Sequence, residues 1–129
     1  MKNAELLLDS LNDAQRQAVA AEHPHLLVLA GAGSGKTRVL VHRIAWLVAT
    51  GQCSPYGILA VTFTNKAAAE MRERISELID MPVQGLWVGT FHGIAHRLLR
   101  RHWQQANLQE TFEIIDSDDQ KRLIKRILA

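Results

Sequence analysis

A chain of 129 residues, 47% hydrophobic and 22% charged, has the length of about one domain and the composition of an ordinary folded chain, neither disordered nor membrane-spanning. Fifteen basic against thirteen acidic side chains leave a formal charge of +2, too small by itself to argue for a nucleic-acid partner. The apolar runs are far shorter than a spanning helix, no export signal opens the chain, and a lone Cys53 excludes an internal disulfide framework, which together point to the cytoplasm.

Residues 5–10 suggest a short first turn. Asn12 then has the form of an N-cap, with Gln15 three positions on to close a capping box. The helix it starts should run to about Glu22, where His23-Pro24 stops it. Leu26 to Ala30 is a continuous apolar run, the pattern of a strand buried on both faces of a parallel sheet. The glycine-rich stretch that follows fits the pattern G-x-x-x-x-G-K-[ST] with Gly35, Lys36 and Thr37 in the last three fixed positions and Ala30 in place of the first glycine. Gly31, Gly33 and Gly35 lack Cβ atoms, so the backbone can take positive φ and turn its N–H groups inward on a polyphosphate. The helix that follows adds unpaired N–H groups and a dipole favourable to an anion. Lys36 would reach the β and γ phosphates and the Thr37 hydroxyl would ligate Mg2+, which makes these two the candidate catalytic residues. The plain alternative is a Gly-rich turn that only joins a strand to a helix.

The second helix should continue to about Thr50 with Leu40, Ile44, Leu47 and Val48 on one stripe and Gly51 as its stop. Ser54-Pro55-Tyr56-Gly57 is turn chemistry leading to a strand at Ile58 to Phe63. Thr64-Asn65 caps a third helix, Lys66 to about Ile79, which Pro82 to Gly85 breaks. Leu86 to Thr90 reads as a third strand, His92 to about Gln105 as a fourth helix, and Ser117 with Gln120 as a capping box for a last helix. Strands alternating with helices of this length predict an α/β layered fold. The clusters Arg97, Arg100, Arg101, His102 and Lys121, Arg122, Lys125, Arg126 read first as solvated helix faces. His92 and His96 have a zinc-compatible spacing, but no Cys or carboxylate completes a set. Ser34 and Cys53 lack a partner base, and Asp116, Asp118 and Asp119 read as helix N-terminal acids.

Four stretches, Leu11 to Val19, Val28 to Ala45, Ala60 to Ile75 and Trp87 to Leu99, together resemble the N-terminal motifs of superfamily 1 DNA helicases of the UvrD-like group. The resemblance implies a P-loop NTPase (RecA-like) three-layer fold. Residues 1–104 would form the front of a first motor domain, an incomplete parallel sheet flanked by helices, and residues 105–129 the beginning of an inserted helical subdomain. It implies ATP and Mg2+ as cofactors. Gln15 would read the adenine edge, Gly31, Ala32, Gly33, Ser34, Gly35, Lys36 and Thr37 would surround the phosphates and metal, and Arg38 would pack against the base, a role that suits a guanidinium. Single-stranded DNA and duplex junctions are the implied partners, with Phe63, Thr64, Asn65 and Lys66 contacting DNA after one strand and Thr90, His92 and Gly93 after the next. Read as chemistry, Phe63 offers a π face to a base, and Thr64, Asn65 and the helix N-terminus offer donors to a phosphate. The alternative places Phe63 in the core with Thr64-Asn65 as a mere cap. Both segments follow strand C-termini, where open α/β sheets bind their ligands.

Such a motor also needs an Asp-Glu pair at a later strand end and arginines from a second motor domain. After Phe63 no apolar strand ends in Asp-Glu, and Ile114-Ile115-Asp116-Ser117 is too short and lacks the glutamate. The chain is therefore expected to be the front portion of an ATP-dependent DNA helicase of repair or replication, with at most weak nucleotide binding and negligible turnover of its own. In the family's sheet the strands carrying the acidic pair and the next motif lie between the phosphate-loop strand and the strand ending at Phe63. Open edges there would invite self-association. A generic P-loop enzyme such as a small kinase would explain neither Thr62 to Lys66 nor Thr90 to Gly93. A non-enzymatic binding module, keeping the loop as scaffold, is the third class.

Overall fold

A computed structural model describes residues 3–82 and 84–129. A 3-10 turn, Ala4–Leu7, precedes α1 (Asp13–Ala20) and α2 (Lys36–Ala49). A second 3-10 turn, Pro55–Gly57, leads into β1 (Leu59–Thr62), α3 (Asn65–Ile79), β2 (Trp87–Thr90), α4 (Phe91–Arg101) and α5 (Ser117–Leu128). The chain divides into two compact units, one up to Phe91 and one from His92 to Ala129. No helix among the described residues is long and apolar enough to cross a membrane.

In the first unit β1 and β2 pair in parallel, with Leu59 opposite Trp87 and Thr62 opposite Thr90. Helix α3 connects them, as a parallel crossover requires. Its Met71, Ile75 and Ile79, spaced by four, form one buried stripe that meets Val41, Ile44 and Ala45 of α2 and Ala60 and Val88 of the strands. Arg72 of α3 donates to the Val88 carbonyl at 2.8 Å, which ties the helix to β2. A smaller cluster of Leu11, Val19 and Val39 packs α1 on α2.

Local chemistry explains most boundaries. The Asn12–Gln15 capping box forms in both directions, a contribution of about 1 kcal/mol to the start of α1. Helix α1 stops at Ala20, two residues short of the expectation, because Ala21 is extended (φ −56°, ψ 131°). There Arg43 of α2 donates through Nη1 to the carbonyls of Ala18, Val19 and Ala21 at 3.2, 2.9 and 2.7 Å, satisfying groups the helix end leaves open. Gly51, at φ 72°, ends α2, and Thr64 caps α3 through the Ala67 N–H. At its other end α3 closes on Asp80 in the left-handed region, ahead of the expected break at Pro82 to Gly85, of which residue 83 lies outside the described residues.

The parallel sheet has two strands rather than three, for Leu26–Ala30 is irregular and unpaired in any ladder among the described residues. Its side chains keep a strand's period of two: Leu27 and Leu29 are 81% and 85% exposed, against about half that for Leu26 and Val28. What is missing is a neighbour, since a strand exists only through the backbone it pairs with. A groove of about 570 Å3, lined by Leu26, Val28, Leu40, Leu47, Ile58 and Leu59 among others, lies between this segment and β1. The N-cap of the last helix is Asp116, not Ser117: Asp116 has the extended backbone a cap needs, and its Oδ1 accepts from the Asp119 N–H at 2.8 Å.

The second unit holds α4 from His92 onward, which ends at Arg101 rather than near Gln105, and α5. Arg100 organises the turn between them: Nε donates to His96 Nε2 at 3.0 Å, Nη1 to the Glu110 carbonyl at 3.2 Å, and the guanidinium lies 4.2 Å over the Phe112 ring.

His42 is the only buried polar side chain among the described residues of the core. Burial holds its imidazole below the ordinary histidine range, opposed by the 2.7 Å bond between Nδ1 and the Arg38 carbonyl and reinforced by the Arg38 charge. The unfolded chain therefore binds the proton more readily than the folded one. Stability from this group is complete above about pH 6.5 and is lost as the pH falls through and below that value. The urea midpoint is expected to fall between pH 7.5 and pH 5.5, and His42→Gln to flatten that fall. An unchanged pH profile in the variant would remove His42 as its source.

Candidate functional site

The glycine loop runs Gly31-Ala32-Gly33-Ser34-Gly35 into α2. Gly33 and Gly35 take φ of 76° and 82°, the left-handed conformation, whereas Gly31 is not among the positive-φ residues. Ser34 closes the turn with both its N–H and its hydroxyl on the Gly31 carbonyl. Gly35 is the N-cap of α2 and has no side chain to cap with, so the first-turn N–H groups receive no side-chain acceptor. Lys36 and Thr37, both exposed, are the first two residues of that turn. This is the anion-favouring end of the helix.

Gln15 comes to the same place. Its Oε1 accepts from the Asn12 N–H while Nε2 donates to the Ser34 carbonyl at 3.4 Å. A Cβ built on Gly35 would stand 2.9 Å from that Nε2, which the Gln15 side chain could yield, so it is the left-handed backbone at φ 82° that favours glycine there. Arg38 also turns toward the N-terminal segment, donating through Nη2 to the Ser10 carbonyl at 2.9 Å. A cavity of about 230 Å3 adjoins, lined by Asn12, Gln15, Ala30, Ser34 and Lys36 among others. The open helix start and the two left-handed glycines of the loop fit a polyphosphate. For a divalent ion the chain offers the Thr37 hydroxyl, and no cluster of three metal-ligating side chains exists among the described residues. His96, already engaged by Arg100, is no exception.

At the C-terminal end of the sheet, Phe63 follows β1 and is 87% exposed, which rules out a core role. Thr64 Oγ1 accepts from the Ala67 N–H at 3.1 Å, and Asn65 and Lys66 are exposed in the first turn of α3. Thr90, half-buried, is the last residue of β2. His92 and Gly93, both exposed in α4, belong to the second unit.

A second aromatic ring stands at this end of the sheet. Phe91, 50% exposed, lies with its ring centroid 5.2 Å from that of Phe63, the planes tilted by 44°. The signal was the repeat Thr62-Phe63 and Thr90-Phe91, whose meaning depends on the register of two distant strands.

A glycine turn with two left-handed residues, opening a helix at Lys-Thr, and a two-strand parallel sheet with its crossover helix define an α/β chain. Its family is known from comparison: the sequence model of the UvrD/REP helicase N-terminal domain matches residues 11–129, and the chain belongs to that family. It is similar to DNA helicase II of Escherichia coli K12, 69% identical over 95% of this chain and 17% of the relative. DNA helicase II of Salmonella typhimurium is 67% identical over the same shares. The ATP-dependent DNA helicase PcrA of Staphylococcus aureus is 48% identical, again over 95% of this chain and 17% of the relative. The chain thus spans about a sixth of the length of the curated relatives it matches.

Proposed function

We propose that the chain is the ATP- and single-stranded-DNA-binding N-terminal part of a UvrD-like ATP-dependent DNA helicase of the cytoplasm, acting in DNA repair or replication. The observation that carries this reading is the open start of α2 behind left-handed Gly35, with the Gln15 amide held against the loop. Gln15 and Arg38 take the base; Gly31 to Gly35, Lys36 and Thr37 take the phosphates, Thr37 as the chain's ligand to Mg2+. When bound, Mg-ATP supplies the phosphoryl group whose hydrolysis drives such motors. The groove between Leu26–Val28 and β1 supports a P-loop three-layer fold, because it lies where the family's sheet has further strands. The inserted helical subdomain of that fold would begin near residue 105.

Phe63, Thr64, Asn65, Lys66 and Thr90, and on α4 His92 and Gly93, form the proposed DNA contacts, at single strands and duplex junctions. Thr64 keeps its O–H as a donor while its oxygen caps α3.

Titration of the chain with a fluorescent ATP analogue and with labelled oligothymidylate tests the reading. Saturable binding of both ligands is expected. Nucleotide binding without DNA binding would favour a small P-loop enzyme such as a kinase, and binding of neither a non-enzymatic module.

A further inference from the structure

An exposed aromatic ring on an otherwise polar surface is poorly defined unless something holds it. Phe63 has only 13% of its surface covered, yet it does not stand alone, because the register that pairs Thr62 with Thr90 carries Phe63 and Phe91 out of the sheet side by side. Neighbouring strands lie about 4.8 Å apart, so the first side chains past the ladder meet if both are rings. Phe91 is the better-fixed partner. Its backbone is at once the continuation of β2 and the first residue of α4, whereas Phe63 sits between β1 and the extended cap residue Thr64 (φ −118°, ψ 149°).

Centroids 5.2 Å apart leave no room for a base between the rings, since insertion needs roughly twice the 3.4 Å stacking rise. The pair therefore offers the outer face of Phe63. We propose that Phe91 is a positioning residue that braces the Phe63 ring, so that a single nucleobase of a single strand finds that face already oriented; this rests on the nucleic-acid reading above. Preorganisation of this kind strengthens binding by removing the need to order a free side chain when the ligand arrives. It leaves the electrostatic contribution of the phosphates untouched.

The experiment is a double-mutant cycle on the 129-residue chain, read by anisotropy of a fluorescent oligothymidylate at several salt concentrations. Phe63→Ala should weaken binding about tenfold or more, the loss of one base stack. Phe91→Ala should weaken it about three- to tenfold, the size of an aromatic pair, and add nothing in the Phe63→Ala background. Phe91→Tyr should restore affinity, and the slope of affinity against salt should be the same throughout. Because Phe91 starts α4, Phe91→Leu serves as the variant that keeps an apolar side chain there; it should lose as much affinity as Phe91→Ala with the far-ultraviolet dichroism of the parent. Additive losses in the double variant, or full affinity in Phe91→Leu, overturn the brace while leaving the nucleic-acid reading intact. Failure of the unaltered chain to bind the oligonucleotide overturns both.

Discussion

Replacing Lys36 with alanine is expected to weaken binding of Mg-ATP at least tenfold, and up to about a hundredfold, without moving the urea unfolding midpoint. The range is that of one hydrogen bond to a charged group, about 1.5–3 kcal/mol. Stability should hold because Lys36 is exposed at the first position of α2 and the core stripe of that helix begins later, at Val39 and Val41. Isothermal titration of both proteins with Mg-ATP makes the comparison, and equal affinities would remove Lys36 from the phosphate site. Neither protein should hydrolyse ATP appreciably with or without single-stranded DNA. The described residues provide the loop and one hydroxyl, with no group of three metal-ligating side chains among them, and the sequence carries no apolar strand ending in the Asp-Glu pair such a motor uses to hold the metal and activate water. DNA-stimulated hydrolysis that disappears in Lys36→Ala would sink that conclusion.

The second large effect concerns association. Leu27 and Leu29 are almost fully exposed on a segment without a ladder, and the groove beside β1 is lined mainly by apolar side chains, with Lys36 and Arg43 among them. We expect the chain to pair with a second copy through this segment, since unpaired strand backbone and uncovered leucines both favour it. Each leucine buried contributes about 1.5–3 kcal/mol, so Leu27→Lys with Leu29→Lys should raise the dissociation constant by more than a hundredfold and leave a monomer. Light scattering across a concentration series measures this, and a parent chain monomeric at its highest concentration would refute the pairing.

What could be read from the residues alone was what neighbours in sequence decide. The Asn12–Gln15 box, the glycine loop opening at Lys36, the Thr64 cap and the Gly51 stop all depend on side chains within a few positions of one another. Pairing and distant reach are decided elsewhere. Leu26–Ala30 has the composition of a strand, but pairing is a property of two segments, and no described segment pairs with it. Asp116 and Ser117 are equally good caps by type; the backbone angle that selects between them comes from the turn before α5. Long side chains reach across such distances too. Arg43 closes the end of α1 and Arg38 reaches Ser10, contacts that amphipathic spacing in α2 does not announce. Phe91 belongs to the same class, because its meeting with Phe63 follows from the β1–β2 register.

The amide of Gln15 serves two masters with one geometry. Its oxygen secures the start of α1, and its nitrogen rests on the loop at Ser34. In the proposed reading this same amide faces the nucleobase, so the choice between adenine and guanine is built on a helix cap. A substitution at Asn12, which touches no nucleotide in that reading, would then blur base discrimination as well as loosen the helix. In that reading, relaxing the preference for one nucleoside triphosphate would loosen part of the chain's own first helix.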